Sequence, residues 1–283
     1  MMKLQTIVDI PASPWKIGYE DRILLLGSCF SDEIGEQMKQ RYLNVTCNPF
    51  GTLYNPLSIA SAINLQLPIS NDQLPLVEYD GMWHSMAHHG SFSRATKEET
   101  YGAVKASVET MQKSLREATV VIVTFGTAWV YEMDGAIVGN CHKLPEKNFT
   151  RRRLTVDEIV AAWKPILERY PDKHWLFTVS PIRHIKDGLH ENQLSKATLI
   201  QAVEVISNQY SVASYFPSYE IMLDELRDYR FYADDLVHPS SLAVQYIWER
   251  FTDTFCTNQT KNELILRHKQ WKQAQHVPLH DRT

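Results

Sequence analysis

The run Ile23-Leu24-Leu25-Leu26-Gly27-Ser28-Cys29-Phe30 reads as a short strand with no polar face, a tight Gly-Ser turn, and the opening of a helix. The residues behind it, Ser31-Asp32-Glu33-Ile34-Gly35-Glu36-Gln37-Met38, are acidic first and amphipathic later, as a helix start should be. A strand that is apolar throughout is covered on both faces, which is the mark of a parallel sheet between helical layers. The turn puts the Ser28 hydroxyl at the carboxyl edge of that sheet, among backbone N–H groups and beside the positive end of a helix. Those are the parts that hold an oxyanion.

Outward from this turn the same alternation continues. Strands are expected over 22–26, 43–47, 119–125, 174–179 and 212–215, and helices over 31–42, 57–65, 97–118, 155–169, 192–209, 217–227 and 241–255. Met133-Asp134-Gly135 marks a small hairpin over 129–140. Residues 68–92 are too long for a plain connection and read as an insertion or lid over the site. No repeat or low-complexity linker divides the chain, so residues 1–283 are expected to form a single domain.

Near the other end stands Asp234-Asp235-Leu236-Val237-His238-Pro239-Ser240, on the loop entering the helix expected over 241–255. An Asp three residues before a His lets one segment supply a base and the group that orients it. His238 then takes the proton of a serine hydroxyl while Asp235 fixes the tautomer and stabilises the imidazolium. The plain alternative is an Asp that caps the helix beside a surface His.

Gly27-Ser28-Cys29-Phe30 with Asp235-x-x-His238 resembles the GSCFA family, a branch of the SGNH (GDSL-like) hydrolase superfamily. The resemblance implies a three-layer α/β/α sandwich around a parallel, flavodoxin-like five-stranded sheet. It implies an ester hydrolase with Ser28 as nucleophile, His238 as base and Asp235 as orienting acid, the ester being a small molecule or an acylated carbohydrate. An acyltransferase to a sugar or other hydroxyl would share the acyl-enzyme, and a non-catalytic ligand-binding module would share the fold. Two departures stand out: Ser31 replaces the Ala of the family name, and the superfamily's Gly-x-Asn-Asp block is matched by Gly126-Thr127-Ala128-Trp129, without the Asn that donates to the oxyanion.

Other residues fall on the same sheet edge. Gly51 can supply an oxyanion N–H or an ordinary turn; Gly126 and Thr127 follow a strand; Cys29 is expected to turn its thiol inward and donate its backbone N–H. Arg183 and His184 can bind an acidic or carbonyl group, or pair with Asp187 or Glu191. His84 and His88 stand at helical spacing for a metal, but no carboxylate or thiol completes a set, so no metal or other cofactor is expected. His88 and His89 suit hydrogen bonding to a polar substrate, or a structural role. Trp83, Phe92 and Trp129 suit sugar stacking or a core.

The composition, 44% hydrophobic and 22% charged with a net charge of -4, is that of a globular protein without the basic face that nucleic acid needs. Arg151-Arg152-Arg153 reads as a solvated loop before a helix. No stretch approaches a membrane span, Met1-Met2-Lys3-Leu4-Gln5 lacks the apolar block of a signal peptide, and four dispersed cysteines suit reduced thiols; a cytoplasmic location is expected.

Overall fold

The computed structural model describes residues 5–68 and 76–275. Strands β1 (Arg22–Gly27), β2 (Asn44–Cys47), β3 (Val120–Phe125), β4 (His174–Val179) and β5 (Ala213–Phe216) form one sheet in the order β5-β4-β3-β1-β2, every pair parallel. That is the flavodoxin-like order. Alternate side chains leave each strand on opposite faces. Leu24, Leu26, Val121 and Val123 join one core, and Ile23, Leu25, Val120 and Ile122 the other.

The first face is covered by α2 (Pro56–Asn64), α3 (Lys97–Glu117), α4 (Val156–Arg169) and α5 (Leu189–Gln209). The second is covered by α1 (Cys29–Lys39), α6 (Ser241–Phe255) and α7 (Asn258–Ala274). The result is a three-layer α/β/α sandwich. Gly27, Thr124 and Thr178 lie in register across β1, β3 and β4, so the turns that follow these strands emerge side by side on one edge.

Several expectations are corrected. Helix α1 begins at Cys29, two residues before the expected start. Helix α7 was not expected; it buries only Leu264 and so has no apolar stripe to betray it. The helix expected over 217–227 is a single α turn, Ser218–Glu220, running into a π turn at Ile221–Glu225. Arg151–Arg153 is not a solvated loop. The strand Thr150–Arg153 pairs with Trp129–Met133, which also pairs with Ala136–Val138, so the expected hairpin has a third strand. Within 68–92 lies a hairpin of Leu76–Tyr79 and Met82–Ser85, while residues 69–75 fall outside the described residues. His84 sits in that hairpin, so it shares no helix face with His88. Among the described residues no helix is long and apolar enough to cross a membrane.

Candidate active site

The turn after β1 is possible only with glycine at its corner. Gly27 has φ +126°, and a Cβ there would fall 2.1 Å from the Thr124 carbonyl oxygen of the neighbouring strand. Ser28 follows as the residue capping α1. Its N–H donates to the Thr124 carbonyl (3.2 Å) and its carbonyl accepts from the Ser31 N–H (2.8 Å). Its hydroxyl is wholly buried and has no hydrogen-bond partner among the described residues. Cys29, the first helical residue, points the other way: its Sγ lies 3.9 Å from His238 Nε2. The expected arrangement is therefore reversed at this turn. The thiol, and not the Ser28 hydroxyl, faces the imidazole.

His238 is held from behind. Asp235 Oδ2 lies 2.6 Å from His238 Nδ1, and Asp235 Oδ1 accepts the N–H groups of Val237 and His238, both at 2.9 Å. These bonds, the two backbone donors first, bring the Asp235 carboxyl down to about 2. An ionised Asp235 keeps the proton on Nδ1, which leaves Nε2 as an acceptor toward Cys29. The loop is pinned by Ala233 N–H to His238 O (2.8 Å) and by Arg183 N–H to Val237 O (3.1 Å). Burial raises the Cys29 thiol above the usual range, against the opposing pull of the Cys29 and Phe30 N–H groups. The resting thiol is protonated and needs a base.

Other expected donors are already engaged. Gly126 and Thr127 both give their N–H to the Tyr54 carbonyl (2.8 and 3.0 Å), and Gly51 gives its N–H to the Asn48 carbonyl (2.8 Å). Thr127 Oγ1 lies 3.1 Å from Ser195 Oγ and accepts the Trp129 N–H at 3.1 Å. What Gly126 supplies is room: a Cβ there would stand 3.3 Å from Ser28 Cβ and 3.4 Å from His184 Nε2.

His88 and His89 do not belong to the site. His88 is fully buried, with its ring nitrogens on Ser85 Oγ (2.8 Å) and Ser107 Oγ (3.0 Å) and its face on Phe50. Burial pulls it down to about 3. His89 shares a separate cavity with His84 and His142. Trp83 lies beside the Lys97 ammonium and Phe92 beside His88, so neither is a free platform.

Arg183 and His184 do reach the site, and the alternative pairing with Asp187 or Glu191 is not made, because those carboxylates pair with Arg151 and Arg153. Arg183 packs over Tyr232, 5.0 Å from the ring centre. Burial first, then the positive charges of Lys196 and His238, bring His184 down to about 3, so it is neutral; its Nε2 is buried without a partner among the described residues. A cavity of about 520 Å³ opens past Cys29 and His238, walled by His184, Trp129, Tyr131 and Arg151.

One residue of this edge went unread in the sequence. Lys196 is fully buried, and its ammonium donates to the Gly126 and Ser180 carbonyls, both at 2.7 Å, tying together the segments that follow β3 and β4. Burial lowers it to about 7, with Cys29 acting in the opposite direction. Its spacing from Leu199, Val203 and Ile206 on the buried stripe of α5 was the available signal.

The sequence matches the GSCFA family over residues 22–251, and the chain belongs to that family. No curated protein matches it. Among solved structures it is similar to a psychrotrophic esterase of Pseudoalteromonas sp. inhibited by monoethylphosphonate, at 14% identity and a TM-score of 0.35, over 83% of this chain and 96% of that one. A family two carbohydrate esterase of Clostridium thermocellum in complex with cellohexaose is similar at 14% identity and a TM-score of 0.40, over 90% and 67% of the two chains. A family 2 carbohydrate esterase of Corynascus thermopiles (Myceliophthora fergusii) is similar at 11% identity and 0.40, over 87% and 68%.

Proposed function

We propose that this member of the GSCFA family is an ester hydrolase working by acyl transfer, with the Cys29 thiol as nucleophile, His238 as base and Asp235 as the group that orients it. The reading is carried by the 3.9 Å approach of Cys29 Sγ to His238 Nε2, with Asp235 Oδ2 2.6 Å behind Nδ1. A thiol, a base and an orienting carboxylate in that order are the parts of nucleophilic catalysis. The S···N contact is longer than proton transfer needs, and such contacts tighten in the complex with substrate.

The Cys29 sulfur attacks the ester carbonyl carbon as its proton passes to His238 Nε2. The carbonyl oxygen gains charge and is met by the Cys29 N–H, which belongs to the first helical turn and has no partner within the helix. The Nε2–H of neutral His184 is the second donor, in the place of the absent Asn. A neutral imidazole can polarise a carbonyl in this way. The carbon–oxygen bond then breaks, and the alcohol leaves with the proton from His238. Water attacks the thioester while giving a proton to His238, and that proton returns to the sulfur as the acid departs. Ser28 caps the helix and takes no part in the transfer.

Steady-state kinetics on p-nitrophenyl butyrate test this. Cys29→Ala is expected to lower kcat/KM by about 10³ or more, whereas Ser28→Ala changes it by less than about threefold. Full activity in Cys29→Ala with loss in Ser28→Ala would return the nucleophile to the hydroxyl.

A further inference from the structure

Residues that line the cavity beyond Cys29 carry buried hydrogen-bond donors with no partner among the described residues. Seven buried side-chain polar atoms lack a partner among the described residues, and four of them belong to residues of this one cavity: Trp129 Nε1, Arg151 Nε, Arg183 Nε and His184 Nε2. The indole and guanidinium N–H groups can only donate. Leaving such groups unpaired is costly, and a ligand rich in acceptors removes that cost.

The charge of the wall points the same way. Arg151 commits its terminal nitrogens to Asp187 and is thereby neutralised. Asp235 is engaged with His238. Among the described residues neither Arg183 nor Lys186 forms an ion pair, and Lys186 donates to the Tyr131 hydroxyl at 3.0 Å. Two cations therefore face the cavity without an ion-pair partner among the described residues. The aromatic rings offer less to a neutral sugar than their number suggests, because Arg151 stands over both, 4.7 Å from the Trp129 ring and 4.9 Å from that of Tyr131.

We infer that the substrate is an ester carrying a negatively charged oxygen group, a carboxylate or phosphate, which is held by Arg183 and Lys186 with the free N–H groups of Trp129 and Arg151. The anion compensates the surplus charge and supplies the acceptors that the wall lacks. This deepens the acyl-transfer reading and depends on it only where turnover is measured.

Two pairs of charged and neutral isosteres test it: p-nitrophenyl hemiglutarate against its methyl ester, with the anion on the acyl side, and carboxy-nitrophenyl butyrate against its methyl ester, with the anion on the alcohol side. In at least one pair the charged ester is expected to show a kcat/KM at least about tenfold higher, as a charge-assisted hydrogen bond provides. That preference shrinks with added salt in the unmodified protein and falls in Arg183→Gln. Binding is read separately by calorimetry on the Cys29→Ala protein with glutarate and phenyl phosphate, against pentanediol. With turnover present, a charged-to-neutral ratio of one or less in both pairs overturns the inference. With turnover absent, the acyl-transfer reading fails alone, and calorimetry decides. An anion that binds more tightly than the diol, and more weakly in Cys29→Ala/Arg183→Gln, supports the inference; any other result overturns it.

Discussion

Ser28 and Cys29 are neighbours whose side chains part because α1 begins between them. As the capping residue, Ser28 has extended backbone (φ -69°, ψ 170°) and makes no side-chain capping bond. A capping serine whose hydroxyl bonds the helix N-terminus stabilises it by about 1 kcal/mol, and that contribution is missing here. Removing the orphaned hydroxyl leaves no partner stranded, so Ser28→Ala is expected to leave stability unchanged or raise it by up to about 1 kcal/mol in urea denaturation. A loss larger than about 1 kcal/mol would mean that the hydroxyl has a partner. His184 is argued on the same scale. His184→Ala should lower kcat about 10²–10³-fold with a much smaller change in KM, because a donor to a developing oxyanion acts mainly in the transition state. An unchanged kcat would remove His184 from the site. Read from the sequence, Ser28 takes the apex of the turn and Cys29 begins the helix with its thiol turned into the protein. The helix does begin at Cys29, but it is the thiol that faces His238 and the Ser28 hydroxyl that is buried.

Among the elements, the β1–α1 turn and the 233–239 loop carry the geometry. Gly27→Ala forces a Cβ against the Thr124 carbonyl at a φ that side chains avoid. The expected loss of stability is on the order of 1–3 kcal/mol, with activity falling further as Cys29 is displaced; an unperturbed melting curve would contradict it. The strand Thr150–Arg153 was hidden by its own composition. Three consecutive arginines suggest solvation, yet each meets carboxylates from elsewhere in the fold: Arg151 with Asp187, Arg152 with Glu132 and Glu158, and Arg153 with Glu191. Charge pairing over such distances along the chain is not visible in a local pattern. Helix α7 was missed for the opposite reason, since a single buried leucine leaves no periodicity to read.

At the scale of the whole molecule, the parallel sheet was legible because apolar strands alternate with helical segments, and strand order then brings distant residues together. The meeting of Cys29 with His238 spans 209 residues and was anticipated as a Ser28–His238 pair. The fold also sets the response to acid. His88 and His184 are held at about 3, against 6.5 when exposed. Below about pH 6.5 the unfolded chain takes up protons that the folded chain refuses, so stability falls as pH drops toward 3, where the folded imidazoles also titrate. Denaturant unfolding should therefore give a stability lower at pH 5 than at pH 7, by up to about 4 kcal/mol for the two imidazoles together. Equal stability at the two pH values would mean that these imidazoles are solvated. The most direct trial of the whole account is acid quench during turnover of a p-nitrophenyl ester, followed by peptide mapping by mass spectrometry. The account predicts an acyl group on the peptide sulfur of Cys29, released by neutral hydroxylamine as a thioester is. An acyl group on the Ser28 oxygen, resistant to that treatment, would contradict it.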